Sequence, residues 1–289
     1  MSARLLEGRP VADAIWRGVE QRAGEVVRRV GRPPTLALVS GADPAAAAYA
    51  RQVERQFTRH GLRASKFTVD ASEFLTCVCR LGSDASVDGV LLLTPLPDGV
   101  DAEAASLAIE PSKDVDGQHP DNLGRLAQRR PAFVPATALG GLRLLQHYAI
   151  PLRGAHAVVV GRSPVVGMPL ALLLIDADAT VSVCHSRTRD LGLVTREADV
   201  LCVAAGRQHL IGPQHVKPGA VVLDFGTNLS VDGATVGDVQ TEAVREVAGG
   251  ITPVPGGTGP ITVAVVAEQT VLAAESFRPA KPAKRAKRG

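Results

Sequence analysis

The sequence predicts an α/β protein of two domains with a cleft between them, the second domain being of the Rossmann type. Its 289 residues exceed the roughly 100–200 that one domain usually holds. Hydrophobic residues make up 45% of the chain but aromatic residues only 3%, so Val, Leu, Ala and Ile must form the core, as is typical of parallel strands under helices. Short apolar runs also alternate with amphipathic stretches, which indicates βαβ units.

The N-terminal half begins with an amphipathic helix over 10–30. Val11, Ile15 and Val19 recur at intervals of four residues with polar residues between them, so one face of the helix is apolar. The other predicted elements are a buried strand over 35–40, a helix over 44–60 that begins after Asp43, a short strand over 66–69 and a strand over 88–95 that ends in a proline-rich loop.

The C-terminal half follows a segment over 111–135 that lacks periodicity and is rich in Pro, Asp and Gly, as expected of a long surface or active-site segment. We therefore expect a first domain over 1–138 and a second domain over 139–259. A final helix over about 260–277 is expected to pack back on the first domain. The remaining predicted elements are a linking helix over 136–148 and strands over 156–160, 180–184, 200–204 and 221–225.

Charge excludes a nucleic-acid-binding protein. The formal net charge is +3, but six basic residues and no acidic ones lie in the last twelve positions. Residues 1–277 hold 26 basic and 29 acidic side chains, which does not provide a surface for a phosphate backbone. The basic tail over 278–289 lacks apolar periodicity and is predicted to be solvated and disordered; a salt-sensitive contact of this tail with an anionic partner stays open.

The sequence also lacks the signs of export, membrane insertion and metal binding. No secretory leader is evident, and no apolar run approaches the ~18 residues of a membrane span. The four cysteines, Cys77, Cys79, Cys184 and Cys202, show neither metal-binding nor disulfide spacing. We therefore expect a cytoplasmic protein with reduced thiols, no membrane partner and no metal.

A glycine turn lies between a strand and a helix in the second domain. The strand over 156–160 runs into Gly161, Arg162 and Ser163, and Gly167 precedes an apolar helical run. Such a turn lets the backbone approach a pyrophosphate, which the helix N-terminus attracts. Because Ser163 occupies the position of the second glycine in the common fingerprint, an ordinary tight turn remains the alternative.

The end of the next strand indicates which dinucleotide would bind. An NAD site usually places an acid there for the ribose hydroxyls. This chain instead has Ser186 and Arg187, and Arg162 lies in the glycine turn. A hydroxyl and guanidinium groups suit a 2′-phosphate, so NADP is favoured over NAD. The neighbouring His185 is expected to be structural.

A set of short motifs, spread over residues 4 to about 275, points to a known protein family. These motifs are DG at 88–89 with PLP at 95–97, KDVDG at 113–117, GRS at 161–163 with VG at 166–167, CHS at 184–186, KPG at 217–219, GDV at 237–239 and TPVPGG at 252–257 with GP at 259–260. In these motifs and their order the chain resembles the methylenetetrahydrofolate dehydrogenase/cyclohydrolase family. The resemblance implies a homodimer, a small-molecule folate substrate in the cleft and NADP on the second domain.

The resemblance also implies roles for individual residues. Tyr49 and Asp116 would hold the folate, Asp116 by pairing with the pterin nitrogens. Without the resemblance, Asp116 would be interpreted as a turn residue and Tyr49 as a half-buried helix residue. The other implied contacts are Pro95, Pro255, Gly256 and Gly257 for the folate, and Gly161, Arg162, Ser163, Ser186, Arg187 and Thr227 for NADP.

The folate site departs from the family pattern. Bifunctional members carry a Lys four residues after the Tyr, which helps to activate water and move protons during hydrolysis of the methenyl ring, and a Gln that contacts this Lys. Here the two catalytic positions hold Val53 and Leu93, and Ala46 replaces a serine. Valine cannot transfer a proton, and replacing both polar partners leaves neither unpaired. A remodelled pocket without cyclohydrolase activity is predicted.

Hydride transfer makes a different demand on the protein. The folate nitrogen lone pairs can expel the hydride, so the protein mainly supplies alignment and electrostatics. The chain is therefore predicted to be an NADP-dependent methylenetetrahydrofolate dehydrogenase. Three alternatives stay open: an enzyme of the same fold redirected to another substrate, a catalytically silent NADP- or folate-binding protein, and a retained bifunctional enzyme.

Further departures near the cleft leave the exact folate substrate open. They are Gln118 in place of the usual Phe, Ala136 and Ala138 in place of Cys and Pro, Thr227 in place of an Ile near the nicotinamide, and Thr258 in place of a Val.

Overall fold

The computed structural model describes residues 2–130, 132–230 and 232–276. In this part of the chain, two separate parallel sheets are packed with helices. The basic tail expected over 278–289 lies outside the described residues, as does the last residue of the helix predicted over 260–277. The two-domain α/β architecture expected from the sequence is confirmed.

The elements alternate along the chain as βα units. The strands are β1 (Arg4–Leu5), β2 (Thr35–Ser40), β3 (Arg63–Thr68), β4 (Gly89–Leu92), β5 (His156–Val160), β6 (Thr180–Cys184), β7 (Val200–Val203), β8 (Val221–Asp224), β9 (Asn228–Leu229), β10 (Thr235–Val236) and β11 (Gly250–Ile251). The α-helices are α1 (Gly8–Val30), α2 (Pro44–Arg59), α3 (Ala71–Ser83), α4 (Ala102–Leu107), α5 (Pro120–Ala127), α6 (Ala136–His147), α7 (Gly167–Asp176), α8 (Leu191–Thr195), α9 (Thr241–Val244) and α10 (Gly259–Ser276).

The two sheets differ in size and belong to different halves of the chain. The smaller sheet has the order β3-β2-β4, and all of its pairings are parallel. The larger sheet has the order β1-β11-β8-β7-β5-β6, also parallel throughout. A separate antiparallel hairpin is formed by β9 and β10. The carboxyl ends of the parallel strands in each sheet therefore share one edge, where ligands of open α/β sheets bind.

The two ends of the chain connect the halves. β1 joins the edge of the larger sheet next to β11. The helix that follows it directly, α1, belongs to the N-terminal half of the chain. α10 in turn lies against α1 and α6, because its apolar residues, including Val263 and Val266, are buried in one core cluster with Val19 of α1. The Arg22 guanidinium also pairs with the Glu275 carboxylate at 2.5 Å.

Several predicted elements are found, and others differ. The strands predicted over 35–40, 156–160 and 180–184 have the same bounds in the structure. Helix α2 begins after Asp43 as predicted, and the Asp43 Oδ1 accepts a 2.7 Å hydrogen bond from Ala46 N. β3 is longer and β4 shorter than expected. The segment over 111–135 was predicted to lack packed structure, which is wrong for part of it. It contains α5, because Pro120 fixes a helical φ at the first turn and His119 Nδ1 accepts from Asp121 N.

Candidate active site

A cavity of about 480 Å³ opens where the smaller sheet faces the glycine turn of the larger one. Thr94 and Leu96, which follow β4, line one wall, and Pro164 and Val165, which follow β5, line another. Asp116 also lines this cavity. Each wall thus comes from the carboxyl end of a strand in a different sheet. The remaining lining residues are mostly apolar and come from β4, α4, α5 and the connecting loops.

Asp116 is half-buried in this cleft and is held at both carboxylate oxygens. The Gln118 Nε2 donates to its Oδ2, and the Ala136 N–H lies 3.4 Å from its Oδ1. Burial raises the pKa of Asp116 to about 6; the Gln118 hydrogen bond opposes this rise, the Asp114 charge adds to it, and the Ala136 N–H opposes it. The carboxyl group therefore changes its charge close to neutral pH.

The backbone on both sides of Asp116 is fixed by a buried glutamine of α10. The Gln269 Nε2 donates to Val115 O at 2.7 Å and to Val134 O at 2.9 Å, while its Oε1 accepts from Val134 N at 2.9 Å. Gly117 has a φ of 64°, and an added Cβ would overlap the Val134 and Pro135 backbone. The loop can approach residues 134–135 this closely only because glycine occupies position 117.

Tyr49 lies on α2 and is coupled to Asp116. Its ring is half-buried and packs against the main core cluster. Burial raises the pKa of the Tyr49 hydroxyl, and the negative charge of Asp116 raises it further. Tyr49 therefore stays a neutral phenol at physiological pH and can act as a hydrogen-bond donor or acceptor.

The two positions predicted to replace catalytic residues of the family are part of the apolar core. Val53, one helical turn after Tyr49, is 0% exposed, and Leu93, directly after β4, is 3% exposed. Ala46, on the same helix, is also buried. All three belong to the core cluster that contains Leu36 and Leu38 of β2. At these positions the chain therefore provides hydrocarbon and no group that can carry a proton.

The loop over 252–257 is anchored to the start of α1. The Gly8 N–H donates to Gly256 O at 2.8 Å, and a Cβ at Gly8 would collide with Gly257 O. The start of α1 thus packs directly on this loop. The peptide bonds before Pro95 and Pro255 are both cis.

The glycine turn has the form that a pyrophosphate requires. Gly161 has a φ of 129°, and an added Cβ would collide with the Ala204 carbonyl oxygen. A Cβ on Gly167 would collide with the Gly161 carbonyl oxygen. The Ser163 Oγ accepts from Val166 N at 3.2 Å and Gly167 N at 3.4 Å. The serine in the second glycine position thus binds two backbone N–H groups where α7 begins.

A second cavity, of about 440 Å³, lies beside this turn. The predicted residues Gly161, Arg162, Ser163 and Ser186 all line it, together with Arg207. The described residues that line it include no carboxylate. The other lining residues are Val160, His185, Thr188, Leu191, Ala204, Ala205 and Leu210.

Two residues expected at the dinucleotide site are not among those that line the second cavity. Arg187 does not line the second cavity, and its backbone N–H donates to His185 Nδ1 at 3.2 Å. His185 itself lines the cavity, and its structural role stays a prediction. Thr227 is exposed after Gly226 and lines neither of the two cavities.

A buried carboxylate shapes the loop that carries Arg207. The Asp238 Oδ2 accepts from Ala205 N at 2.6 Å and Gly206 N at 2.9 Å, and its Oδ1 accepts from Arg207 N at 2.8 Å. The Asn228 Nδ2 also donates to Oδ1 at 2.9 Å. Four donors thus compensate for the burial of Asp238, and the loop after β7 is held against the dinucleotide cavity.

Comparisons with known proteins agree with this arrangement. The catalytic-domain model of tetrahydrofolate dehydrogenase/cyclohydrolase matches residues 6–116, and the NAD(P)-binding-domain model of the same enzymes matches residues 135–278. The chain belongs to the tetrahydrofolate dehydrogenase/cyclohydrolase family. Its second half is thus the NAD(P)-binding domain of that family, and its first half is the catalytic domain.

Individual relatives cover nearly the whole chain. The bifunctional protein FolD of Thermomicrobium roseum is 51% identical over 271 residues, which is 92% of this chain and 93% of that protein. The bifunctional FolD structure from Campylobacter jejuni has a TM-score of 0.91 at 38% identity and covers 95% of this chain and 99% of that one. The Trypanosoma brucei FolD structure, solved with NADP cofactor and an inhibitor, has a TM-score of 0.88 at 33% identity over 95% and 98% of the two chains.

Sequence reasoning missed Arg207 and Gln269. Arg207 follows β7, whose carboxyl end must share an edge with that of β5, so the strand order could have indicated it. Gln269 is a lone polar residue in an otherwise apolar helical run, which is a weak signal for a buried hydrogen-bonding role.

The described residues hold neither a metal-binding cluster nor a helix that could span a membrane. No cluster of three or more His, Cys, Asp or Glu side chains there has the arrangement of a metal site. Among the helices of residues 2–130, 132–230 and 232–276, none is both long and apolar enough to span a membrane.

Proposed function

We propose that this protein oxidises methylenetetrahydrofolate to methenyltetrahydrofolate with NADP and does not hydrolyse the methenyl product. The observation that carries the second part is Val53, which is completely buried in hydrocarbon at the position of the family Lys. A valine there cannot activate water or pass a proton. With Leu93 at the position of the family Gln, neither member of the hydrolytic pair is present.

The folate would be held by Asp116 and Tyr49. An ionised carboxylate accepts two hydrogen bonds in one plane, which matches the two donors on an aminopyrimidine edge. The Tyr49 phenol, fixed within the core on α2, would orient the ring system from its side of the site. Pro95, Pro255, Gly256 and Gly257 are proposed to complete the folate site, as the family resemblance implies.

The residues present fit NADP. Gly161 and Gly167 leave a cradle that a Cβ would fill, and the N-terminus of α7 lies behind it for the pyrophosphate. Arg162, Ser186 and Arg207 line the adjoining cavity, which suits a 2′-phosphate better than the bare ribose of NAD. When bound, NADP would supply the acceptor for the hydride that leaves the folate methylene carbon. The chain itself supplies alignment and the electrostatic environment.

A two-channel assay tests this function. Methylenetetrahydrofolate and NADP are mixed with the protein, and NADPH and the methenyl product are followed together. We expect the two to accumulate in equal amounts, with the methenyl product decaying only at its spontaneous rate. Absence of NADPH at saturating folate would reject the dehydrogenase, and methenyl decay above the spontaneous rate would reject the loss of hydrolysis. NAD in place of NADP should give at least tenfold lower kcat/KM, corresponding to about 1.4 kcal/mol.

Retained bifunctionality is the second candidate, and one observation favours it. Burial raises the pKa of Asp116 to about 6, which is close enough to neutral pH for general acid–base chemistry. Asp116 could then take over proton transfer in the hydrolytic step. The decay channel of the same assay separates the two candidates, because only this one predicts a methenyl decay rate proportional to protein concentration.

The roles of the two domains and the oligomeric state are part of the same proposal. Residues 1–138 would bind folate and residues 139–259 would bind NADP, with α10 returning to the first domain through its contacts with α1. A cytoplasmic homodimer is proposed from the family resemblance. Light scattering after size exclusion should give about twice the chain mass of 30.1 kDa, and a monomer mass would reject the dimer. Fractionation of cells would test the location.

A further inference from the structure

Gln118 is fixed beside Asp116 by three contacts. Its backbone N–H donates to Asp114 Oδ1 at 3.1 Å, and its carbonyl oxygen accepts from Ser106 Oγ at 3.1 Å. Its side-chain Nε2 donates to Asp116 Oδ2. Because both backbone groups are held, the amide reaches Asp116 from one direction. The short loop between Asp114 and Gln118 therefore presents the Asp116 carboxylate with one oxygen already bonded.

The hydrogen bond from Gln118 to Asp116 depends on the amide at this position. The family usually has Phe here, and a benzyl side chain cannot donate a hydrogen bond to a carboxylate. A donated N–H stabilises the ionised carboxylate relative to the neutral acid. We propose that Gln118 is a positioning residue for the substrate, which holds Asp116 ionised and in one orientation for the aminopyrimidine edge of the folate. This inference rests on the proposed function, in which Asp116 binds that edge.

Three other titratable groups lie on the elements around Asp116, and none of them donates a hydrogen bond to its carboxylate in the described residues. Asp114, on the same loop, raises the pKa of Asp116 by its charge. Tyr49 faces Asp116 from α2 as a neutral phenol. Glu103, on α4, lines the same cavity. Gln118 is thus the side chain whose hydrogen bond opposes both burial and the Asp114 charge at this carboxylate.

The test replaces the amide of Gln118 in three ways. Gln118→Leu removes the donor, and Gln118→Glu adds a negative charge. Gln118→Phe introduces the usual family residue, and the adjoining cavity of about 480 Å³ has room for the ring. Gln128→Leu makes the same change at an exposed position after α5 and serves as the matched control. Thermal unfolding of each variant confirms that it is folded before kinetics are measured.

The first readout is the pH profile of kcat/KM for methylenetetrahydrofolate. In Gln118→Leu and Gln118→Phe the acidic limb should move to higher pH by about one unit, which lowers kcat/KM about tenfold below the pKa. Gln118→Glu should move the acidic limb to still higher pH. In all three variants the loss of kcat/KM should appear mainly as a higher KM. Gln128→Leu should match the wild type. A loss of the same size at every pH, or an unchanged limb, would overturn the proposal.

The second readout does not depend on turnover. In protein labelled with ¹³C at the Asp carboxyl carbons, the Asp116 signal is assigned by its absence in Asp116→Asn and titrated in the wild type and in Gln118→Leu. The proposal requires a higher pKa of Asp116 in the variant, and an equal pKa would refute it. If the wild type fails to reduce NADP with methylenetetrahydrofolate, the proposed function fails, but this titration still decides whether Gln118 controls Asp116.

Discussion

The dinucleotide side and the folate side of the cleft are built in different ways. At the glycine turn, recognition depends on backbone that no side chain obstructs, at Gly161 and Gly167. On the folate side, the proposed recognition depends on side chains, those of Tyr49 and Asp116, while Val53 and Leu93 belong to the core. A polar substitution at Val53 or Leu93 is therefore expected to affect the stability of the core, whereas a substitution in the glycine turn is expected to affect the binding surface itself.

The largest expected effect concerns the folate side. Val53→Lys would place an ammonium group in a fully buried apolar position without a charge partner. We expect the free energy of unfolding to fall by about 3–5 kcal/mol, as for an uncompensated buried charge. Urea unfolding measures the change. Val27→Lys, the same substitution at a position on α1 that is 41% exposed, should stay within about 0.5 kcal/mol of the wild type.

Adding Leu93→Gln to Val53→Lys sharpens the comparison. If the two positions still form the pair implied by the family, the glutamine oxygen should bond to the lysine and recover about 1–2 kcal/mol of the loss. The double variant should also hydrolyse methenyltetrahydrofolate faster than either single variant. No destabilisation by Val53→Lys would show that the position opens to water, contrary to the interpretation of the site.

The next effect concerns the dinucleotide side. Gly161→Ala would bring a methyl group onto the Ala204 carbonyl oxygen at a φ of 129°, so the turn must move away from the pyrophosphate position. We expect the Kd for NADP to rise at least about a hundredfold, or about 2.7 kcal/mol, as measured by fluorescence titration. Gly124→Ala in α5, where the added methyl meets no atom within 4 Å, should bind NADP normally. Unchanged binding in Gly161→Ala would remove the turn from the proposed site.

A third effect follows from the buried charge of Asp116. Its pKa in the folded protein is raised to about 6 from 3.8, so the fold favours the neutral acid. The resulting stability is fully present below about pH 3.8 and is lost as the pH rises through about 6. Asp116→Asn should therefore be more stable than the wild type at pH 7.5 by about 1–2 kcal/mol, with the difference vanishing near pH 4.

Stability curves in urea at several pH values would measure this difference. The pKa of Asp224 is also raised to about 6, mainly by burial, but this group is present in both proteins and cancels in the comparison. Asp98→Asn, an exposed substitution, is the control. A stability difference that stays constant between pH 4 and 7.5 would contradict the assignment of a titrating Asp116.

The comparison also shows what the sequence could and could not predict. Long elements such as α1 and β2 follow from local periodicity, and the glycine turn follows from residues 161–167 alone. The two-residue strands β1 and β11 carry no such pattern and form because the edge of the larger sheet offers a partner. Gln269 binds backbone 135 positions earlier in the chain, so its role depends on tertiary packing that no local pattern contains.

The folate side was harder to predict for the same reason. Val53 and Leu93 were identified only through the family resemblance, since a buried valine or leucine has no signal of its own in the sequence. On the dinucleotide side, the sequence did carry a signal. Arg187 was predicted as a contact because it directly follows Ser186 at the end of a strand. The structure places Arg207 in the cavity, brought there by the loop that Asp238 holds after β7.

The smallest expected effect separates these two arginines. Arg207 lines the dinucleotide cavity and Arg187 does not, so Arg207→Ala should raise the Kd for NADP about fivefold to tenfold, or about 1–1.4 kcal/mol. Arg187→Ala should change it less than about twofold, and neither variant should alter the Kd for NAD, which lacks the 2′-phosphate. Because an exposed charge pair weakens in salt, the Arg207→Ala effect should shrink as ionic strength rises. If Arg207→Ala weakens the binding of NADP and NAD equally, Arg207 contacts a part common to both dinucleotides. If Arg187→Ala raises the Kd for NADP more than Arg207→Ala does, Arg187 has the role that its place beside Ser186 suggests.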